Sequence, residues 1–126
     1  MSISILHVGL PLDHPAIPVE ERAKIRKRLN DLTDRMRASG YDYEVVSIHP
    51  EGGIEQLKEL LRARACDGVL IGGGVVGDPA MSYFMEQIVN ATHEVAPKAK
   101  IMFYSHSTDV QDTVARWFPS TAMDQA

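Results

Sequence analysis

The chain has one cysteine, Cys66, so no internal disulfide can form and a secreted scaffold held by cross-links is excluded. It has no unbroken apolar run of the roughly 18 residues a membrane span needs. It lacks a basic excess: 13 Lys and Arg stand against 17 Asp and Glu, a formal charge of −4, whereas nucleic-acid binders concentrate positive charge. Internal repeats and low-complexity tracts are missing too. Residues 1–10 are apolar but carry neither the basic lead nor the small-residue cleavage site of a signal peptide. They are expected to form a buried strand, and the protein to be cytoplasmic. What is there suits one domain: 126 residues, 44% of them hydrophobic, with a core expected over about residues 3–118 and a polar, frayed tail over 119–126.

The apolar pattern alternates between strand and helix. Residues 3–9 are β-branched and apolar, and Pro11, Pro15 and Pro18 stiffen the connection that follows. Ile25, Leu29, Leu32 and Met36 recur with the period of one helix face, which Gly40 is placed to end. A second strand spans 43–48, and a second helix turns Ile54, Leu57, Leu60, Leu61 and Ala65 inward. A third strand, 69–71, runs into Gly72-Gly73-Gly74-Val75-Val76-Gly77. Asp78-Pro79 has the form of a helix start, with Met81, Phe84, Met85, Ile88 and Val95 on the inner side. After a fourth strand over 101–104, Thr108 to Gln111 resembles a capping box opening a last helix, with Val110, Val114, Trp117 and Phe118 inward. Strict β-α alternation with continuously apolar strands implies a parallel sheet covered on both faces, a three-layer α/β/α sandwich. Right-handed crossovers leave few topologies for four strands, and the expected order is 2-1-3-4, a flavodoxin-like arrangement.

In such sheets ligands bind beyond the carboxyl ends of the strands, where strand order reverses. That point lies between the first and third strands, so the candidate binding residues are Gly9, Asp13 and His14 from one loop and Gly72, Gly73, Gly74, Gly77 and Asp78 from the other. Ser105, His106 and Ser107 follow the fourth strand on the same edge. The glycine run matches G-x-G-x-x-G, where glycine permits positive φ and close approach of a ligand. Asp78 delays the helix and puts a negative charge where a phosphate would sit, which favours a tight strand-to-helix turn over a nucleotide cradle. His106, between two serines and ahead of a helix N-terminus, is the candidate catalytic residue. His7 is expected to be a core or sheet residue and His93 exposed. The many basic residues of the first helix are interleaved with acids and read as a solvated face. Cys66 reads as a small buried residue. No cofactor follows from these residues and no metal is assigned.

On its order of elements the chain resembles the receiver domains of bacterial response regulators and other flavodoxin-like modules across about residues 3–118. The resemblance implies a phospho-accepting aspartate ending the third strand, where this chain has Gly72. It also implies an acidic pair after the first strand, where Gly9-Leu10-Pro11 stands, and a fifth strand ending in lysine, which has no counterpart here. Ser105 or Ser107 matches the receiver hydroxyl after the fourth strand. Flavodoxins carry a Ser/Thr-rich phosphate loop that Gly9 to Pro15 lacks, and the closest resemblance is to small stand-alone domains of this fold without assigned activity. Two functions stay open: a small-molecule or anion-binding domain, enzymatic or not, and a receiver-like interaction module without catalysis. The second expects a homo-oligomer formed through the apolar edge of the fourth strand, or cover of that edge by the tail. A third alternative is metal-assisted hydrolysis by His14, His49 or His106 with Asp13 or Asp78. Neither nucleic acid nor membrane is expected as a partner.

Overall fold

Strand β1 (Ile3–Gly9) is buried without a break from Ser4 to Val8. A strand buried on both faces belongs at the centre of a sheet. In the structure, a computed structural model describing residues 2–119, β1 pairs in parallel with β2 (Tyr41–Ser47) on one side and β3 (Gly68–Ile71) on the other. β3 then pairs with β4 (Lys100–Phe103), which completes an all-parallel sheet of order β2-β1-β3-β4. The expected flavodoxin-like arrangement is therefore the one observed.

Alternation along the strands divides the core. Leu6, Val8, Val69 and Ile71 face α2 (Ile54–Ala63) and α4 (Ser82–Val95), meeting Leu57, Leu61, Phe84, Ile88 and Ala91. Ile5, Tyr43, Leu70 and Met102 face α1 (Arg22–Ala38) and α5 (Val110–Trp117), meeting Leu32, Met36, Val110 and Val114. No helix is long and apolar enough to cross a membrane among the described residues.

The two helices on this second face are unequal. At 1.5 Å per residue, α1 is about 25 Å long and α5 about 12 Å. The short α5 reaches Leu32 and Met36, which are buried, but leaves Leu29 and Ile25, one and two turns further up α1, only half-buried. A single apolar stripe thus does two jobs: its lower half closes the core and its upper half walls a cleft.

Several local expectations need correction. The glycine run is helical rather than a loop, because α3 (Gly73–Val76) begins directly after Gly72. Asp78 caps only the single 3-10 turn Pro79–Met81, its Oδ1 accepting from the Ala80 N–H at 3.0 Å. No residue of the run has positive φ; among the described residues only Gly40 and Gly52 do, and Gly40 is the residue expected to end α1. The cap of α5 is Asp109 rather than Thr108, with Oδ1 accepting from the Gln111 N–H at 2.9 Å. Ala65 lies beyond α2 and is exposed. Trp117 is 54% exposed, since the final residue of α5 stands beside Lys100, whose ammonium lies 5.8 Å from the indole centroid. The tail beyond Pro119 lies outside the described residues.

Candidate functional site

A cleft of about 720 Å³ opens over the carboxyl ends of β1 and β3. One wall is apolar, formed by Leu10, Leu12 and Ile17 of the β1–α1 connection and Ile25 and Leu29 of α1. The opposite wall is the β4–α5 segment from Tyr104 to Asp109, and the floor holds His7, Gly9, Gly72, Gly73 and Gly74. The connection with three prolines is held in place by Arg22, whose guanidinium donates to the Ile17 carbonyl at 3.2 and 3.3 Å and toward those of Asp13 and His14 at 3.4 Å. That residue is a clamp, in contrast to the solvated face expected of the first helix.

His7 is the one ionisable group on the floor. It is 5% exposed, and burial pulls its pKa down to about 4, so it is neutral near pH 7. Its Nδ1 lies 2.5 Å from the hydroxyl of Tyr43, a phenol whose own ionisation is pushed up by burial. The Tyr43 hydroxyl has no other hydrogen-bond partner among the described residues. Were Nδ1 the donor, the buried phenolic proton would lack an acceptor, so the stable arrangement has Tyr43 donating to Nδ1. The His7 proton then sits on Nε2, which has no partner among the described residues. A Cβ on Gly72 would stand 3.0 Å from that nitrogen. Gly72 thus leaves space for the side-chain N–H that the floor offers a ligand.

Gly73 and Gly77 also have close neighbours, whereas a Cβ on Gly74 would meet Leu10 only at 3.4 Å and one on Gly9 nothing within 4 Å. A Cβ on Gly73 would lie 2.8 Å from the Tyr104 ring, and one on Gly77 would lie 2.9 Å from the Gly73 carbonyl and 3.3 Å from His106 Nε2. At Gly73 and Gly77 close approach is the reason for glycine, and the approaching groups are the protein's own rings and backbone. Tyr104 and His106 stack edge-on at 5.1 Å. Ser105 Oγ accepts from the Ser107 N–H at 3.1 Å and lies 2.9 Å from Ser107 Oγ, which shapes the turn below the rim.

Charge at the mouth is nearly balanced. Arg35 forms a two-pronged pair with Asp109 at 3.1 and 3.3 Å, tying α1 to α5, and Asp31 pairs with Lys27 at 2.9 Å. Arg28 has no ion-pair partner among the described residues and leaves one positive charge at the rim. No serine or threonine hydroxyl bonds an imidazole among the described residues.

Of the residues singled out by sequence, Gly9, Gly72, Gly73, Gly74, Ser105, His106 and Ser107 line this cleft, whereas Asp13, His14, Gly77 and Asp78 do not. The cleft also uses His7, Arg28, Arg35, Tyr104 and the α1 leucine wall, which sequence reading left to the core or the solvated surface. The one signal for His7 was a histidine inside an otherwise apolar strand.

A second cluster lies apart from that lining. His14, 9% exposed, meets the exposed His49 and Glu51 from the turn after β2, with the two imidazoles 5.3 Å apart. Glu51 Oε2 is 2.7 Å from His49 Nδ1 and 3.8 Å from His14 Nε2.

Comparison with protein-family models, curated proteins and solved structures finds no match for this chain, so the site rests on its own geometry.

Proposed function

We propose that the chain is a small-molecule-binding α/β domain whose ligand occupies the cleft between α1 and the β4–α5 segment. The carrying observation is the cleft itself. Its volume of about 720 Å³ falls within the roughly 300–1,000 Å³ of small-molecule sites, and it lies at the strand-order reversal. The lining suggests the ligand's outline: an apolar body against Leu12, Ile25 and Leu29, a hydrogen-bond acceptor at the buried end for His7 Nε2, and an anionic group at the mouth near Arg28.

The test is thermal unfolding with a panel of nucleotides, flavins, nicotinamide cofactors, sugar phosphates and apolar carboxylates. A ligand at 100 times its Kd should add about 2.7 kcal/mol of stability. Leu29→Trp, at a half-buried wall position, should leave the free protein's Tm within a few degrees and abolish the shift. A shift that survives Leu29→Trp undiminished would place the ligand elsewhere and overturn the reading.

A second reading is favoured by a separate observation. Phe103 and Trp117 are 43% and 54% exposed beside the edge of β4, which is unpaired among the described residues. Such an edge suits self-association, the interaction-module alternative.

A further inference from the structure

We propose that His14, His49 and Glu51 form a binding site for one divalent transition-metal ion, with Zn²⁺ the best match. The three donor atoms lie within 4.8 Å of one another. Ligands on a tetrahedral zinc with bonds of about 2.0–2.1 Å stand about 3.3 Å apart. The separations of 2.7 and 3.8 Å from Glu51 Oε2 bracket that value and the two histidine donors lie within 4.8 Å of each other, so side-chain shifts on the order of an ångström close the site.

The donors are held by built turns. His14 is nine-tenths buried, its N–H donating to the Pro11 carbonyl at 2.9 Å and its carbonyl accepting from Ile17 at 2.9 Å. His49 sits in a turn closed by the Gly53 N–H on its carbonyl at 3.0 Å, and a Cβ on Gly53 would come within 2.3 Å of that oxygen. The turn exists only because residue 53 is glycine. It brings His49 Nδ1 and a Glu51 carboxylate oxygen face to face at 2.7 Å, where two lone pairs oppose each other unless a proton or a cation lies between.

Two hydrogen bonds change when the metal enters: His49 Nδ1 gives up the bond it accepts from the Glu51 N–H at 3.2 Å, leaving the N–H of an exposed residue to solvent, and the His14 ring changes tautomer. His14 Nδ1 accepts from the Ala16 N–H at 3.1 Å, which puts the ring proton on Nε2. Ligation through Nε2 moves that proton to Nδ1 and frees the Ala16 N–H, which solvent satisfies because Ala16 is exposed. Two imidazoles and a carboxylate, without thiolate, select zinc, nickel or copper over calcium or magnesium. An ion there would pin the connection whose Leu12 and Ile17 wall the cleft, although the proposal does not depend on the cleft being a ligand site.

The experiment is calorimetric titration of the full chain with Zn²⁺, repeated on His49→Ala and Glu51→Gln. Both residues are exposed, and far-ultraviolet circular dichroism verifies that the variants fold. The expected result is one ion per chain, at least tenfold weaker binding in each variant, and no binding of Mg²⁺. Co²⁺ should give the visible bands of a tetrahedral site, and these should vanish in both variants. Absence of saturable Zn²⁺ binding to the unaltered chain would overturn the proposal. Binding unchanged in both variants would do the same, by assigning the ion to other histidines.

Discussion

A neutral imidazole under a cleft makes stability depend on pH in a direction that can be worked out. His7 titrates near 4 when folded and near 6.5 as an ordinary histidine. Above pH 6.5 it is neutral in both states and contributes no slope. Between 6.5 and 4 the unfolded chain binds a proton that the folded one refuses, so stability falls as pH falls, and below 4 the loss is complete at about 3 kcal/mol. His7→Gln, which keeps a hydrogen-bonding group beside Tyr43, should remove this component. Urea unfolding at pH 7 and pH 4 measures it: the unaltered protein should lose about 3 kcal/mol more than the variant, and equal losses would show that His7 is not held neutral. Burial of His7 was readable from its place in an apolar strand. The direction of its free nitrogen was not, because it depends on Tyr43, which β2 brings into register only two residues away from the facing position, Val45.

Helices α1 and α5 show how an element's pattern can be legible while its role is not. The spacing of Ile25, Leu29, Leu32 and Met36 identified the apolar stripe. Which part of it would be covered depended on the length of α5, a property of a segment some seventy positions later. One polar link between these helices runs through Asp109, which both caps α5 and pairs with Arg35, and another joins Gln111 Nε2 to Ser39 Oγ at the C-cap of α1 at 2.9 Å. Both side chains are about half exposed, so the ion pair contributes roughly 0.2–1 kcal/mol, whereas an aspartate cap is worth about 1 kcal/mol. Asp109→Ala should therefore destabilise by about 1–2 kcal/mol, Arg35→Ala by less than about 1, and Asp109→Asn, which keeps the cap, should resemble Arg35→Ala in denaturant unfolding. If Asp109→Asn were as damaging as Asp109→Ala, the pair rather than the cap would be the larger contribution.

At the scale of the whole molecule, strand order was the most legible property, since alternating apolar strands and helices of this number leave few right-handed arrangements. The two sheet edges differ in ways the order does not reveal. On the β2 side, Arg64 bridges Asp42 at 2.6 Å and also pairs with Glu44, which places charge along the edge. The β4 side has Phe103 and Trp117 exposed instead. If β4 is an association edge, light scattering should give a dimer at tens of micromolar, and Phe103→Lys should return the chain to monomer without changing its circular dichroism. A monomer at that concentration before any substitution would remove the interaction-module reading and leave the cleft reading untouched.

The floor of the cleft also has a place in time. It is the seam between β1 and β3, where Ile5 meets Gly68, while the other two seams join closer partners, Ile3 with Tyr41 and Gly68 with Lys100. Closing a loop costs more entropy as its ends grow further apart along the chain, so this seam is the costliest of the three to form. As the chain is synthesised, β1 can find β2 before β3 has been made, but Gly72 cannot come under His7 until the longest loop has closed. A molecule that recognises the cleft therefore recognises only chains that have completed the central seam, and it favours the finished protein over every half-built one.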